Sequence, residues 1–359
     1  MIKYELKKLC SNKIVIIMLI ISVIAAVASA IHSYNLYGSY YVYNKSLLQK
    51  GVIDRVNVND SNVKEYEGKT DIKSEYLYEQ YTYVKYCTTV DYFRSLGFTG
   101  LNSLDELPPK ESSEARRDIT RTENGINYDR SFGWQNLLSS GQMTVLPFIA
   151  IILIIVSSAV VFSSEYQNST DVLLMCTLNK RKIVRVKILS SLIFTAIYFC
   201  AFQLIVLCSY GIMFSLDGIG ADSGQVIFDR VQPMGKAYLI MLGTTLFADL
   251  VISLLALAVS SFCKNTITTA GITLGITMIP VACATFPTIS HNFDAVMRAM
   301  PATILLSDFN ISNYLELTKG KYIVGGQNTL LLFALISVIL IFVSVLTINI
   351  SWKYHKVSN

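Results

Sequence analysis

Charge is scarce in this chain. Of its 359 residues only 15% are Asp, Glu, Lys or Arg, 52% are hydrophobic, and the mean hydropathy is +0.47. Such a composition excludes disorder and leaves a soluble domain short of polar surface, so the expected solvent is a bilayer. Histidine is rarer still. His32, His291 and His355 stand far apart, and no CxxC or Cys/His spacing accompanies them, so metal chemistry lacks a ligand set. The seven cysteines are Cys10, Cys87, Cys176, Cys200, Cys208, Cys263 and Cys283. Only Cys87 falls in the long polar segment 33–142, which therefore has no intrachain disulfide to fold around. No Ser/His/Asp signature or paired-carboxylate pattern presents itself. Gly68-Lys69-Thr70 imitates the end of a phosphate-binding loop, but the earlier glycine that motif needs falls at Val63. These absences argue against an enzyme and against an ATP site within the chain. The net charge of +5 sits beside apolar runs without a nucleic-acid motif, so nucleic acid is not an expected partner.

What the chain does have is length between charges. A bilayer core of about 30 Å takes about 20 residues of helix. Six stretches qualify: 14–32, 143–163, 188–216, 237–263, 265–290 and 322–352. The first begins on a basic flank and ends near Ala28-Ser29-Ala30, which also describes a cleavable signal. Its apolar core, Ile14 to Ile31, exceeds the roughly 7–15 residues of a signal core and is read as an anchor. Direction follows from the cations in the short flanks. Lys3, Lys7, Lys8, Lys13, Lys180, Arg181, Lys182, Arg185, Lys187, Lys264, Lys353 and Lys356 fall on one side. Arg230, Lys236, Arg298, Lys319 and Lys321 fall on the other. Twelve against five predicts both termini in the cytoplasm and residues 33–142 outside. The expected fold is an all-α integral membrane protein of six transmembrane helices with a mostly helical extracellular domain between the first two.

That domain holds 13 of the 21 tyrosines, Tyr34, Tyr37, Tyr40, Tyr41 and Tyr43 among them. Leu77, Tyr81, Val84 and Thr88 recur at helical spacing within a Gly- and Pro-free stretch from Asp71 to Leu96, predicting a long amphipathic helix. Leu107-Pro108-Pro109-Lys110 breaks it before Trp134. The tyrosines admit two readings, a surface that grips a peptide, glycan or subunit, or rings in a small core and at the membrane interface; the second is the more ordinary.

Inside the apolar stretches the unusual residue is Asp249, near the midpoint of 237–263, where a carboxylate costs roughly 3 kcal/mol on insertion scales. Thr245, Ser253, Ala256 and Ser260 share its stripe. Two roles stand open: Asp249 lines a translocation route or holds a cation, or it is a carboxyl bonded to a neighbouring helix. Gly271 and Gly275 form a GxxxG spacing suited to close helix packing, and Pro280 and Pro287 should bend or end the fifth helix.

After the second apolar stretch come Phe162-Ser163-Ser164-Glu165, a polar turn through Ser169-Thr170, the apolar residues Val172, Leu173, Leu174, Cys176 and Leu178, and a basic cluster from Lys180 and Arg181 to Lys187. Apolar side chains on so short a cytoplasmic helix want a protein partner. A plain juxtamembrane loop held by anionic lipid is the bland alternative. In order and content the segment 164–187 resembles the loop of ABC-2 type ABC transporter permeases, where Phe, a small residue and Glu precede an amphipathic helix and a basic cluster. Many members carry Gly-Thr where this chain has Ser169-Thr170. Residues 1–13, with Tyr4, Leu6 and Leu9 against Lys3, Lys7 and Lys8, resemble the family's cytoplasmic interface helix. Residues 291–321 with Met300-Pro301 resemble its extracellular re-entrant hairpin, with an interfacial loop as the other reading.

The resemblance implies a permease dimer, with itself or a similar subunit, in a bacterial cytoplasmic membrane. It implies coupling through Glu165, Val172, Leu173, Leu174, Cys176, Leu178 and Arg181 to separate ABC ATPase subunits that carry the ATP and Mg, with no cofactor in this chain. Thr245, Asp249 and Ser253 would line the pathway. Export of a peptide antibiotic or other amphiphile is the leading expectation, with sodium or drug efflux open. The competing class is a membrane sensor or scaffold whose external domain binds a peptide and whose loop recruits a signalling protein.

Overall fold

A computed structural model describes residues 1–49, 57–71, 74, 77–78, 81–82, 85–86, 89–91, 102–107, 112, 116, 120, 126–127, 132–138, 140–170, 180–220, 233–285, 291–306 and 326–354. They are predominantly α-helical. A short helix α1 (Ile2–Cys10) leads into α2 (Lys13–Gln49), whose start is capped by Asn12: its Oδ1 accepts the N–H of Ile14 at 2.9 Å and of Val15 at 3.4 Å. A one-turn helix α3 (Asp60–Val63) and α4 (Phe132–Leu137) follow. Then come α5 (Ser140–Gln167), α6 (Lys180–Phe214), α7 (Met234–Ser260) and α8 (Thr266–Thr285). Two short helices, α9 (His291–Arg298) and α10 (Pro301–Leu306), precede α11 (Gly326–Tyr354). Six of these, α2, α5, α6, α7, α8 and α11, are long and apolar enough to cross a membrane, which is multi-pass membrane character.

Helices α5 and α7 pack together at the centre, with α2 against α6, α11 against α7 and α8 against α5. Burial follows that order: 67% of the apolar window of α5 is enclosed by the chain against 17% for α8, whose outer face is left to lipid or another protein. At one end of the bundle lie α1, the last turns of α5 and α11, the first turns of α6 and the turn at Ser261, whose carbonyl accepts the Tyr166 hydroxyl at 2.9 Å and the Ser351 hydroxyl at 2.7 Å. This is the α1 end. At the far end Tyr34, Tyr41 and Tyr210 surround Phe214, and the Trp134 indole donates to the Leu216 carbonyl at 2.9 Å.

Several boundaries differ from those read off the sequence. Helix α2 does not stop at residue 32 but runs to Gln49, since its one glycine there, Gly38, serves packing: the Tyr34 ring lies 3.1 Å from where a Cβ would stand. The basic cluster is helical from Lys180, because long cationic side chains are good helix formers that reach water from an apolar start, and α5 stays helical through Gln167. The stretch 164–187 is therefore two helix ends around 168–179. Helix α8 continues through Pro280 to Thr285; Pro287 lies outside the described residues. Helices α9 and α10 meet at Met300-Pro301, and α10 is buried against α5, α7 and α8 through Ala302, Ile304 and Leu305.

In the polar segment, the antiparallel pair β1 (Asn57–Val58) and β2 (Ile126–Asn127) joins residues far apart in the chain. Ser74, Leu77, Tyr78, Tyr81, Thr82, Lys85 and Tyr86 are helical, with Leu77 and Tyr81 buried; Val84 and Thr88 lie outside the described residues. Asp60 accepts from Lys85 Nζ at 2.6 Å and from the Tyr81 hydroxyl, and these bonds hold its carboxyl below the ordinary carboxylate range.

Candidate functional site

Among the described residues two acidic side chains are buried in the bundle, in opposite surroundings. Glu165, near the end of α5, is 4% exposed, and Lys187, two turns into α6, is fully enclosed. They face each other across the α1 end and form an ion pair. Lys187 Nζ also reaches Glu5 Oε1 at 3.3 Å and the Val161 carbonyl at 3.4 Å, and lies 5.6 Å from the centre of the Phe162 ring. Lys8 Nζ approaches Glu165 Oε1 at 3.5 Å. Four charges, two of each sign, thus tie α1 to α5 and α6. A buried pair of this kind repays its desolvation only when further hydrogen bonds complete it, and loss of one partner strands the other at about 3–5 kcal/mol.

In sequence, residues 171–179 join these two helix ends. Val172, Leu173, Leu174, Cys176 and Leu178 lie outside the described residues, while Arg181, with Lys182 and Arg185, is exposed on the first turns of α6. Ser169 closes α5 with φ of 54°, the left-handed backbone that favours glycine, and the Thr170 N–H returns to the Glu165 carbonyl at 3.0 Å. The position at which this chain departs from the resembled pattern is thus one whose backbone suits glycine.

Asp249 is 1% exposed, its Oδ1 is buried without a hydrogen-bond partner, and it pairs with no described cation. It stands at the inner end of a cavity that runs between α5, α6 and α7 toward the far end. Thr245, Met241 and Tyr238 follow it along one face of α7, with Tyr198, Phe202 and Gln203 opposite on α6. From Asp249 to Tyr238 the helix rises about 16 Å.

The structure brings Thr245 and Asp249 together and sets Ser253 apart. One turn beyond Asp249, Ser253 is locked among hydroxyls: Ser158 and Ser253 at 2.9 Å, Ser158 and Ser191 at 3.1 Å, Ser191 and Ser253 at 3.2 Å. This triad joins α5, α6 and α7 where the cavity ends. Below it Ser260 donates to the Ala159 carbonyl at 2.7 Å and accepts the Ser163 N–H at 3.1 Å. Gly271 and Gly275 are exposed and a Cβ at either meets nothing within 4 Å, so the pair makes no close helix contact among the described residues.

Sequence reasoning missed Lys187 as a buried residue, Glu5 as its second partner, and the aromatic wall on α6. The signal for the first was present: opposite charges close the facing ends of two consecutive apolar helices. Comparison of the chain with protein families, with characterised proteins and with solved structures finds no match.

Proposed function

We propose that the chain is the permease subunit of an ATP-driven exporter of the ABC-2 type, working as a dimer over separate ABC ATPase subunits that bind ATP and Mg. The observation that carries this reading is the charge cluster of Glu5, Lys8, Glu165 and Lys187 at the base of the segment 171–179. A force applied to that segment reaches α5, α6 and α1 together, because its two ends are fastened to each other and to the N-terminal helix. The basic first turns of α6, with Arg181 exposed, suit a cytoplasmic face, with both termini on that side and the polar segment between the first two spans outside. Ligands for the ATPase are Val172, Leu173, Leu174, Cys176 and Leu178, and the outward-facing Gly271 and Gly275 offer a close-packing strip for the second permease subunit. The resemblance favours a bacterial cytoplasmic membrane as the location and peptide antibiotics or other amphiphiles as the substrate.

Mass spectrometry of what copurifies with the tagged chain at native expression tests this, run beside a variant with Leu173→Asp and Leu174→Asp. An ABC ATPase recovered with the unaltered chain and lost from the variant is the expected result. A kinase or other signalling protein in its place would favour a sensor.

A further inference from the structure

We propose that the cavity ending at Asp249 binds an organic cation with an apolar tail, its ammonium head against the Asp249 carboxylate and its tail running out toward Tyr238 and Leu137. The proposal rests on the transport reading only in making this ligand a substrate, and it narrows that substrate to cationic amphiphiles.

The lining decides the chemistry. Asp249 supplies the acidic group, with one oxygen that no side chain satisfies and no described cation beside it. A buried carboxyl with an unsatisfied oxygen is costly in apolar surroundings, and a ligand that brings a positive charge is what favours its charged form there. An anion would meet like charge. A metal ion wants about six oxygens, and here most of the wall beyond the Asp249 carboxyl and the Thr245 hydroxyl is carbon. Tyr198, Phe199, Phe202 and Tyr238 instead line the cavity with aromatic rings, whose faces attract a weakly hydrated organic cation and leave a hydrated metal ion unserved. Leu146, Ala150 and Val206 complete a surface suited to an alkyl chain. Tyr198 stacks on Phe202 with ring centres 5.6 Å apart, so the wall is in place before any ligand arrives. The Ser158–Ser191–Ser253 triad closes the route one turn past Asp249, so the head stops at the carboxylate.

The same ammonium chemistry comes from two sources, a free amphiphile and the head group of phosphatidylethanolamine. The test is saturable binding of tritiated decyltrimethylammonium to the full-length chain in phosphatidylglycerol nanodiscs, with decanol and decanoate as competitors. We expect saturable binding that neither competitor displaces at equal concentration, at least tenfold weaker in Asp249→Asn and within threefold of the unaltered chain in Asp249→Glu. Displacement by decanol, or an Asp249→Asn variant that elutes as a folded protein and binds equally well, overturns the proposal. Should Asp249→Asn fail to fold, the competition on the unaltered chain still decides it, and Tyr238→Leu should weaken binding severalfold. Adding phosphatidylethanolamine separates the sources: competition assigns the site to the lipid head group, its absence to a free amphiphile, and the cation site stands in both cases. Binding needs no ATPase, so an intact site without a copurifying ATPase would sink the transport reading alone, and an ATPase without binding would sink this one alone.

Discussion

Glu165 and Asp249 are carboxylates of nearly equal burial, 4% and 1% exposed, yet one is surrounded by charge and the other by rings. Around Glu165 the bundle supplies Lys187 and Lys8, and through Lys187 the α1 residue Glu5. Around Asp249 it supplies Thr245, Tyr198 and an opening. A charge that folding has paired belongs to the architecture, whereas one that folding has left unpaired waits for something to arrive. The two should therefore respond to mutation with opposite sign.

The largest expected effect is on the paired one. Lys187→Met should destabilise the chain by about 3–5 kcal/mol, read as a lowered thermal midpoint in detergent, because buried Glu165 is then left with only the long contact to the partly exposed Lys8. Combining it with Glu165→Gln should recover much of that loss; a double variant as unstable as the single one would break the comparison. Asp249→Leu should act the other way, making the chain about 1–3 kcal/mol more stable, since it removes a buried polar group with an unsatisfied oxygen from an apolar setting. A marked loss of stability there would mean that Asp249 is structural. Ser260→Ala measures what uncharged polar contacts contribute nearby and should cost about 1–2 kcal/mol, having lost a hydroxyl that donates to Ala159 and accepts from Ser163. Smallest is Ser169→Gly, a gain of at most about 1 kcal/mol from relieving a left-handed serine at the end of α5.

How much of this was legible in the sequence depended on what kind of signal carried it. All six long helices could be read from gaps between charges, because the bilayer imposes a minimum length that few other constraints imitate. Asp249 and Thr245 stood out for the same reason, as polar residues where polarity is expensive. The extension of α2 to Gln49 was not legible, since Tyr and polar residues past His32 look like the start of a separate domain and only tertiary contacts such as Tyr34 and Tyr41 on Phe214 show the helix continuing along the bundle. Lys187 was hidden within a run of cations that periodicity treats alike; its partner Glu165 lies 22 residues earlier and only the packing of α5 on α6 brings them together. Ser253 shared the stripe of Asp249 but not its cavity, because one turn of helix carries it from the open side into a three-helix contact. The glycine spacing at Gly271 and Gly275 indicated a close helix contact, and among the described residues the pair faces outward instead.

The most direct test joins the two carboxylates through the machine that the account assigns to them. ATP hydrolysis would be measured on the proposed complex of the chain with an ABC ATPase in nanodiscs, with and without decyltrimethylammonium, for the unaltered chain and for Asp249→Asn. Hydrolysis should rise severalfold with the cation and stay flat in the variant; an absence of hydrolysis, or equal stimulation of the variant, would overturn the joint role of the two carboxylates.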